Sequence, residues 1–234
     1  MDYSHPMLIT LREFGQKLGV LRPVVRMFRK IFNLTYENGF DKEMMNQIAL
    51  NDIIWDVGAN VGYFTKKFSE KVGKEGLVFA FEPTPNTYCT LVNNCSVLAN
   101  VTCKNMALSN QSGKFSFRDS GIENDPTNGL VEDGTLGAIE VLVATGDDLV
   151  ASKGLPVPTV IKIDVEGFEI DVIKGIRQLL MNSALRKLFI EVHFLEMSKR
   201  GIKNGSTEMV KIISDSGFIV KWTDPSHFIA TRNT

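Results

Sequence analysis

The residues best suited to chemistry sit where short apolar runs end. "IIWDVGANVGYF", over 53–64, runs from β-branched residues into Asp56 and then Gly58, Asn60 and Gly62. Glycines so placed let a backbone turn tightly and approach a ligand, and an acid there stands where a strand would stop. A second run, "VFAFEPTP", ends at Glu82, and a third leads into "KNMALS", with Asn105, Met106 and Ala107. An acid one strand-and-helix unit downstream suits a pair of ribose hydroxyls, and an amide beside small apolar residues suits the edge and face of an adenine.

Asp56 discriminates between adenosine cofactors. A dinucleotide fingerprint, G-x-G-x-x-G, rests a diphosphate on a helix N-terminus. Here Asn60 occupies the second glycine's place, and the Asp56 carboxylate would repel a diphosphate in a partly desolvated crevice. The ligand expected beside Asp56 is therefore cationic or hydrogen-bond donating. S-adenosylmethionine carries an ammonium and a sulfonium and has no phosphate. The expected cofactor residues are Asp56, Gly58, Asn60, Gly62, Glu82, Asn105 and Ala107, with Asp164 beside the transferable methyl.

The candidate catalytic residues follow two later runs. "KIDVEGFE" places Asp164 at a strand end with Glu166 and Glu169 entering a helix, and "IEVHF" puts Glu191 and His193 on one face by period-two alternation. Methyl transfer to a hydroxyl needs alignment and a proton acceptor. His193, with an ordinary pKa of about 6.5, suits that role at neutral pH, as would Asp164 or Glu166 with a pKa raised by burial. The bland readings are that Glu166 and Glu169 complement a helix dipole and that His193 is a hydrogen-bonded strand-end residue. Asp164, Glu166 and Glu191 also offer oxygens of the kind a divalent ion takes.

The elements that must position these residues alternate. Strands are expected at 52–57, 77–82, 101–106, 159–164 and 187–193, helices at 61–71, 85–98, 169–181 and 206–216, and a final antiparallel pair at 218–222 and 227–231 around "TDPS". Alternation of this kind makes βαβ units and a parallel sheet covered on both faces. "KFSFRD" and "AIEVLVAT" read as antiparallel strands flanking a polar loop over 120–137, and apolar residues at helical spacing over 7–32 give a helical N-terminal segment. Domain boundaries follow: a cap over 1–48 and a catalytic domain over 49–234.

Composition narrows the function classes. With 234 residues, 44% hydrophobic and 23% charged, the chain can bury a full core. A net charge of −1 provides no field to attract a polyanion, so nucleic acid is not expected as a partner. The Asn/Asp-Pro-Pro-aromatic element that would stack a flipped base is absent, since "DVEGF" has no proline. Three cysteines without C-x-x-C spacing favour reduced thiols and a cytoplasmic setting, and no apolar run is long enough to span a bilayer. "RPVVRMFRKIF" is a basic amphipathic patch suited to packing on its own domain, to lining the substrate side, or to peripheral membrane contact. His5 and His227 read as solvated, in a tail and a turn, and Phe64 and Phe68, at i, i+4, as core.

Taken together, "IIWDVGANVGYFT", "VFAFEPTPNTYCTLVNN", "VTCKNMALSNQSGKFSF", "TGDDL", "VIKIDVEGFEIDVIKG" and "LFIEVHF" resemble the FkbM-like methyltransferases of the class I S-adenosylmethionine-dependent fold, over roughly 51–194. The resemblance implies a doubly wound, mostly parallel seven-stranded α/β sheet with a reversed last strand, bound S-adenosylmethionine, no metal, and O-methylation of sugars or sugar-bearing metabolites. It assigns Asp56, Gly58, Asn60 and Gly62 to the cofactor loop, Glu82 to the ribose and Asn105 to the adenine side. One departure is Gly146 in "TGDDL", where the family usually has leucine, which is expected to loosen a connecting segment. The rival classes are a methyltransferase acting on a non-sugar small molecule, a dinucleotide oxidoreductase, and a cofactor-binding but non-catalytic interaction module.

Overall fold

The computed structural model describes residues 39–118, 129–130 and 138–233. Most of the expected cap over 1–48, His5, the basic patch and most of the 120–137 loop lie outside them. Among the described residues, no helix is long and apolar enough to cross a membrane.

Seven strands form the main sheet in the order β10-β11-β9-β8-β1-β2-β3. They are β1 (Ile53–Val57), β2 (Leu77–Phe81), β3 (Val101–Lys104), β8 (Val160–Ile163), β9 (Lys187–Glu191), β10 (Phe218–Trp222) and β11 (His227–Arg232). β1, β2, β3, β8 and β9 pair in parallel, while β11 runs antiparallel to both β9 and β10, giving the reversed last strand. The strand order reverses between β1 and β8, and in open α/β sheets a ligand crevice opens beyond the carboxyl ends at such a switch point. Asp56, Glu82, Asp164 and Glu191 all stand at or near that edge.

The apolar runs explain the layering. β8 is buried at all four positions, as a central parallel strand covered on both faces must be. On one face, the helix over 39–46 (α1) and α2 (Tyr63–Val72) bury Phe40, Met44, Phe68 and Val72 against Ile54, Val78, Phe189 and Ile229. α3 (Pro85–Cys95) adds Leu91 and Cys95 over Ala80. The opposite face carries the larger core, from Trp55, Ile161 and Leu188 to Met209 and Ile213 of α8 (Gly205–Asp215).

A second sheet, in the order β4-β7-β5-β6, is built on β5 (Gly113–Arg118) and β7 (Ala138–Ala144), which pair antiparallel as the alternation predicts. β4 (Ala107–Leu108) and β6 (Gly129–Leu130) complete it. β4 is only two residues long, too short to register as a period.

Two expectations about the helices are corrected by close packing. The helix expected over 169–181 is two, α5 (Glu169–Lys174) and α6 (Arg177–Met181), divided at Gly175, where the Ser109 carbonyl oxygen lies 1.9 Å from where a Cβ would stand and only glycine fits. Gly146 opens α4 (Gly146–Ala151), and it does not loosen the segment. It is buried, and a Cβ there would stand 2.5 Å from Ile176 Cγ2 and 3.1 Å from the Trp55 ring. Trp55 has taken the volume that a larger side chain would need. The next residue, Asp147, accepts hydrogen bonds from the Gln178 and Leu179 amides and so caps α6. Gly146→Leu should destabilise the fold by about 1–3 kcal/mol through overpacking, measured by urea unfolding. An unchanged midpoint would show that Trp55 can move aside.

Candidate functional site

The loop after β1 is shaped by three positive-φ residues, Gly58 at 77°, Asn60 at 50° and Gly62 at 89°. Gly58 is constrained by space as well as by φ: a Cβ there would fall 1.8 Å from the Asp164 carbonyl oxygen. Glu82 is buried and held from both sides, Oε2 accepting from the Asn60 amide at 3.1 Å and Oε1 from the Thr84 amide at 2.9 Å. Burial raises its pKa against these hydrogen bonds. The Thr84 hydroxyl donates to it as well, and of about four acceptor positions on a carboxylate one is left for a further donor.

A cleft runs from this loop past Glu82 to the end of β8. Its walls include Glu82, Thr84, Met106, Ala107, Leu108 and Phe117, with Gly58 beside Asp164, Val165 and Glu166 where β8 ends. Phe117 comes from β5, so the antiparallel excursion helps to wall the apolar end. Asn105 lies behind the wall: its side-chain amide donates to the Glu82 and Pro83 carbonyls, each at 2.9 Å, pinning the turn that carries Glu82. The donors expected to meet an adenine edge are thus engaged by backbone.

Asp56 is also placed differently from expectation. It is wholly buried, accepts from the Thr65 hydroxyl at 2.7 Å and pairs with Lys162 Nζ at 3.3 Å. The cation its carboxylate requires is already supplied by the protein. Lys162 Nζ also donates to the Gly58 carbonyl at 3.0 Å and pairs with Asp164 at 3.3 Å. Sequence reasoning missed this residue. Its signal was a lysine inside the otherwise apolar run "VIKI", where a buried charge must have partners.

At the carboxyl ends of β8 and β9 the expected catalytic residues converge. β9 ends at Glu191, earlier than predicted, and His193 stands at the N-terminus of α7 (Phe194–Lys199). His193 Nδ1 donates to buried Glu169 at 2.8 Å, and Glu169 is fixed in turn by the Gly167 amide at 2.9 Å. Nε2 faces Glu166 at 3.4 Å, Glu191 at 3.7 Å and Asp164 at 3.8 Å. Glu166 holds a φ of 49°, uncommon for a side chain of its size and the kind of backbone strain found at ligand sites. Asp164, Glu191 and His193 also bring one ligand atom each within 4.8 Å of one another, a spacing a divalent ion could bridge.

These surroundings separate the titrations. Burial would lower the His193 pKa, but the hydrogen bond to Glu169 and the charges of Glu169, Asp164 and Glu166 push it up to about 10. His193 is therefore an imidazolium at neutral pH, and the ordinary value assumed from sequence does not apply. Burial works to raise Asp164, yet Lys162 and His193 outweigh it and hold the carboxyl below its usual value. Glu166 goes the other way, raised by burial with the help of neighbouring carboxylates. Two adjacent carboxylates pushed apart around one cation make a pair with distinct roles.

A family profile described as "Methyltransferase FkbM domain" matches residues 56–220. The chain is 32% identical over 221 residues to the hexuronic acid methyltransferase AglP of Haloferax volcanii, covering 92% of this chain and 88% of that one. It is 27% identical over 187 residues to the 2-O-methyltransferase NoeI of Sinorhizobium fredii, covering 73% and 71%. Among solved structures, the methyltransferase FkbM of Methylobacillus flagellatus KT superposes with a TM-score of 0.52 at 17% identity. That alignment covers 79% of this chain and spans 44% of the other's length.

Proposed function

We propose, from the premise that this chain belongs to the FkbM methyltransferase family, that it methylates an oxygen of a carbohydrate or sugar-containing metabolite at the expense of S-adenosylmethionine. The observation that carries the site assignment is the divided pair Asp164 and Glu166 around protonated His193, at the mouth of a cleft whose other end holds Glu82. The relatives' printed names, a hexuronic acid methyltransferase and a 2-O-methyltransferase, support a hydroxylated, sugar-like acceptor.

The residues present fit the cofactor. Glu82, clamped by two amides, keeps acceptor capacity for a ribose hydroxyl, and Met106, Ala107, Leu108 and Phe117 form an apolar slot for a purine. Gly58, Asn60 and Gly62 carry the backbone close to the cleft, and Asp56 acts beneath them by holding Lys162. S-adenosylmethionine supplies an electrophilic methyl on a sulfonium. Asp164, kept anionic by Lys162 and His193, complements that positive charge. Glu166, with the raised pKa, takes the proton of the acceptor hydroxyl, and the His193 imidazolium fixes both carboxylates. In this reading the cluster's cations are the protein's own, Lys162 and His193, and no metal is required.

Isothermal titration tests the reading. Wild type binds S-adenosylmethionine and not NAD, and Glu82→Ala weakens the binding about 10–100-fold, as expected when charge-assisted hydrogen bonds are lost. Absence of S-adenosylmethionine binding by folded wild type would overturn it.

A further inference from the structure

His227 is the most engaged residue outside the assigned site. It was expected to be solvated, yet at the first residue of β11 it is buried. In the sheet register it stands directly opposite Glu191. Its Nδ1 donates to Asp224 at 2.9 Å, and Asp224 is itself held by the Ser226 and His227 amides at 2.8 and 3.0 Å. Nε2 faces Glu191 Oε2 at 3.3 Å. Behind the imidazole, the Phe40 ring of α1 packs at 4.3 Å between centroids.

Glu191 is thereby shared between two imidazoles. Oε2 belongs to His227, and Oε1 lies 3.7 Å from His193 Nε2. Asp224, His227, Glu191, His193 and Glu169 form a continuous chain of alternating carboxylates and imidazoles from the β10–β11 turn to α5. The Asp224–His227 pair holds the turn without Glu191, whose side chain is 36% exposed and could be satisfied by water. We infer that His227 is a positioning residue: by holding one oxygen of Glu191, it presents the other to His193 and so fixes the imidazole that orients Glu166 and Asp164. The catalytic consequence rests on the function proposed above, whereas the coupling itself does not.

Other charges face these rings. Asp41, on α1, interacts electrostatically with His227, Glu191, Lys67 and Lys162, so the chain is open to influence from that helix. Burial opposes a charge on His227, but its hydrogen bonds to Asp224 and Glu191 push its pKa up to about 9. The ring therefore donates from both nitrogens at neutral pH.

The test reads the ring N–H resonances of His193 by NMR at neutral pH. His227→Phe keeps an aromatic ring against Phe40 and removes both hydrogen bonds, so the His193 Nε2–H resonance should move. His227→Gln, which retains a donor for Glu191, should restore it to near its wild-type position. On a Glu191→Gln background, His227→Phe should add no further movement. Unchanged His193 resonances in folded His227→Phe, or an undiminished effect on the Glu191→Gln background, would overturn the inference. Should His227→Phe fail to fold, Glu191→Gln alone decides, since both rings must then shift. Titration of S-adenosylmethionine into the same samples separates the two conclusions: moving resonances without cofactor binding would leave the coupling standing and remove the methyltransferase reading.

Discussion

Lys162→Met should destabilise the protein by roughly 3–5 kcal/mol, a fall in melting temperature of about 6–20 °C, and abolish cofactor binding in whatever remains folded. The ammonium is buried within β8 and contacts Asp56, which is wholly buried, and Asp164, whose side chain is only 28% exposed. Removing it leaves two carboxylates in a poorly solvated place with no cation between them. It also frees the Gly58 carbonyl that Lys162 anchors, and with it the glycine loop. Burial alone would lower the Lys162 pKa, but the charges of Asp164 and Asp56 overcome it and the net shift is upward, so the ammonium is retained at any accessible pH. Neutralising one acid as well, in the double variant Lys162→Met with Asp56→Asn, should recover part of the stability, because the penalty arises from the unpaired charge rather than from lost volume. Calorimetric melting of wild type and the two variants measures this. A single variant as stable as wild type would mean that water reaches Asp56 and that the lysine is not the hub described.

What the sequence disclosed, and what it did not, divides along the range of the interactions involved. Strand ends announce themselves locally, because an apolar run stops and an acid or glycine follows. Asp56, Gly58, Glu82 and Asp164 were legible for that reason, and β5 and β7 by alternation. The sequence gives no sign of which residue faces which across the sheet. Asp56 looked like a ligand-seeking acid because its partner lies 106 positions later, in a strand whose lysine gives no local sign of what it faces. His227 looked solvated because "TDPSH" is polar along the chain, whereas its burial comes from Phe40 and its charge partners from Asp224 and Glu191, two of the three distant in sequence. His193 was found by position but given the wrong charge, since its proton affinity is set by Glu169, Asp164 and Glu166, which the fold brings to it from the end of another strand. Gly175 and Gly146 follow the same rule. Each is small because something elsewhere in the chain, the Ser109 carbonyl or the Ile176 and Trp55 side chains, occupies the volume beside it.

Glu166→Gln should lower kcat by about 10²–10⁴-fold, the usual contribution of a positioned proton acceptor, while S-adenosylmethionine affinity by calorimetry changes little. The substitution keeps the shape of a side chain that lines the cleft and removes only its capacity to take a proton. The pH dependence provides the sharper check. Glu166 accepts a proton only as the carboxylate, so activity should rise with pH through its burial-raised pKa, giving an acid limb above the ordinary glutamate value. It should then hold across neutrality and fall as His193 loses its charge at about 10, when the cation that fixes Glu166 and Asp164 disappears. If neutral His193 were the base, the order would be reversed: activity would be low at neutral pH and climb towards 10, and Glu166→Gln would be mild. Turnover with a sugar acceptor, measured across pH for wild type, Glu166→Gln and His193→Gln, separates the two mechanisms by the side of the profile on which each variant acts. In the carboxylate mechanism the imidazolium does its work without giving up its proton, and the alkaline limb should be missing from the residual activity of His193→Gln.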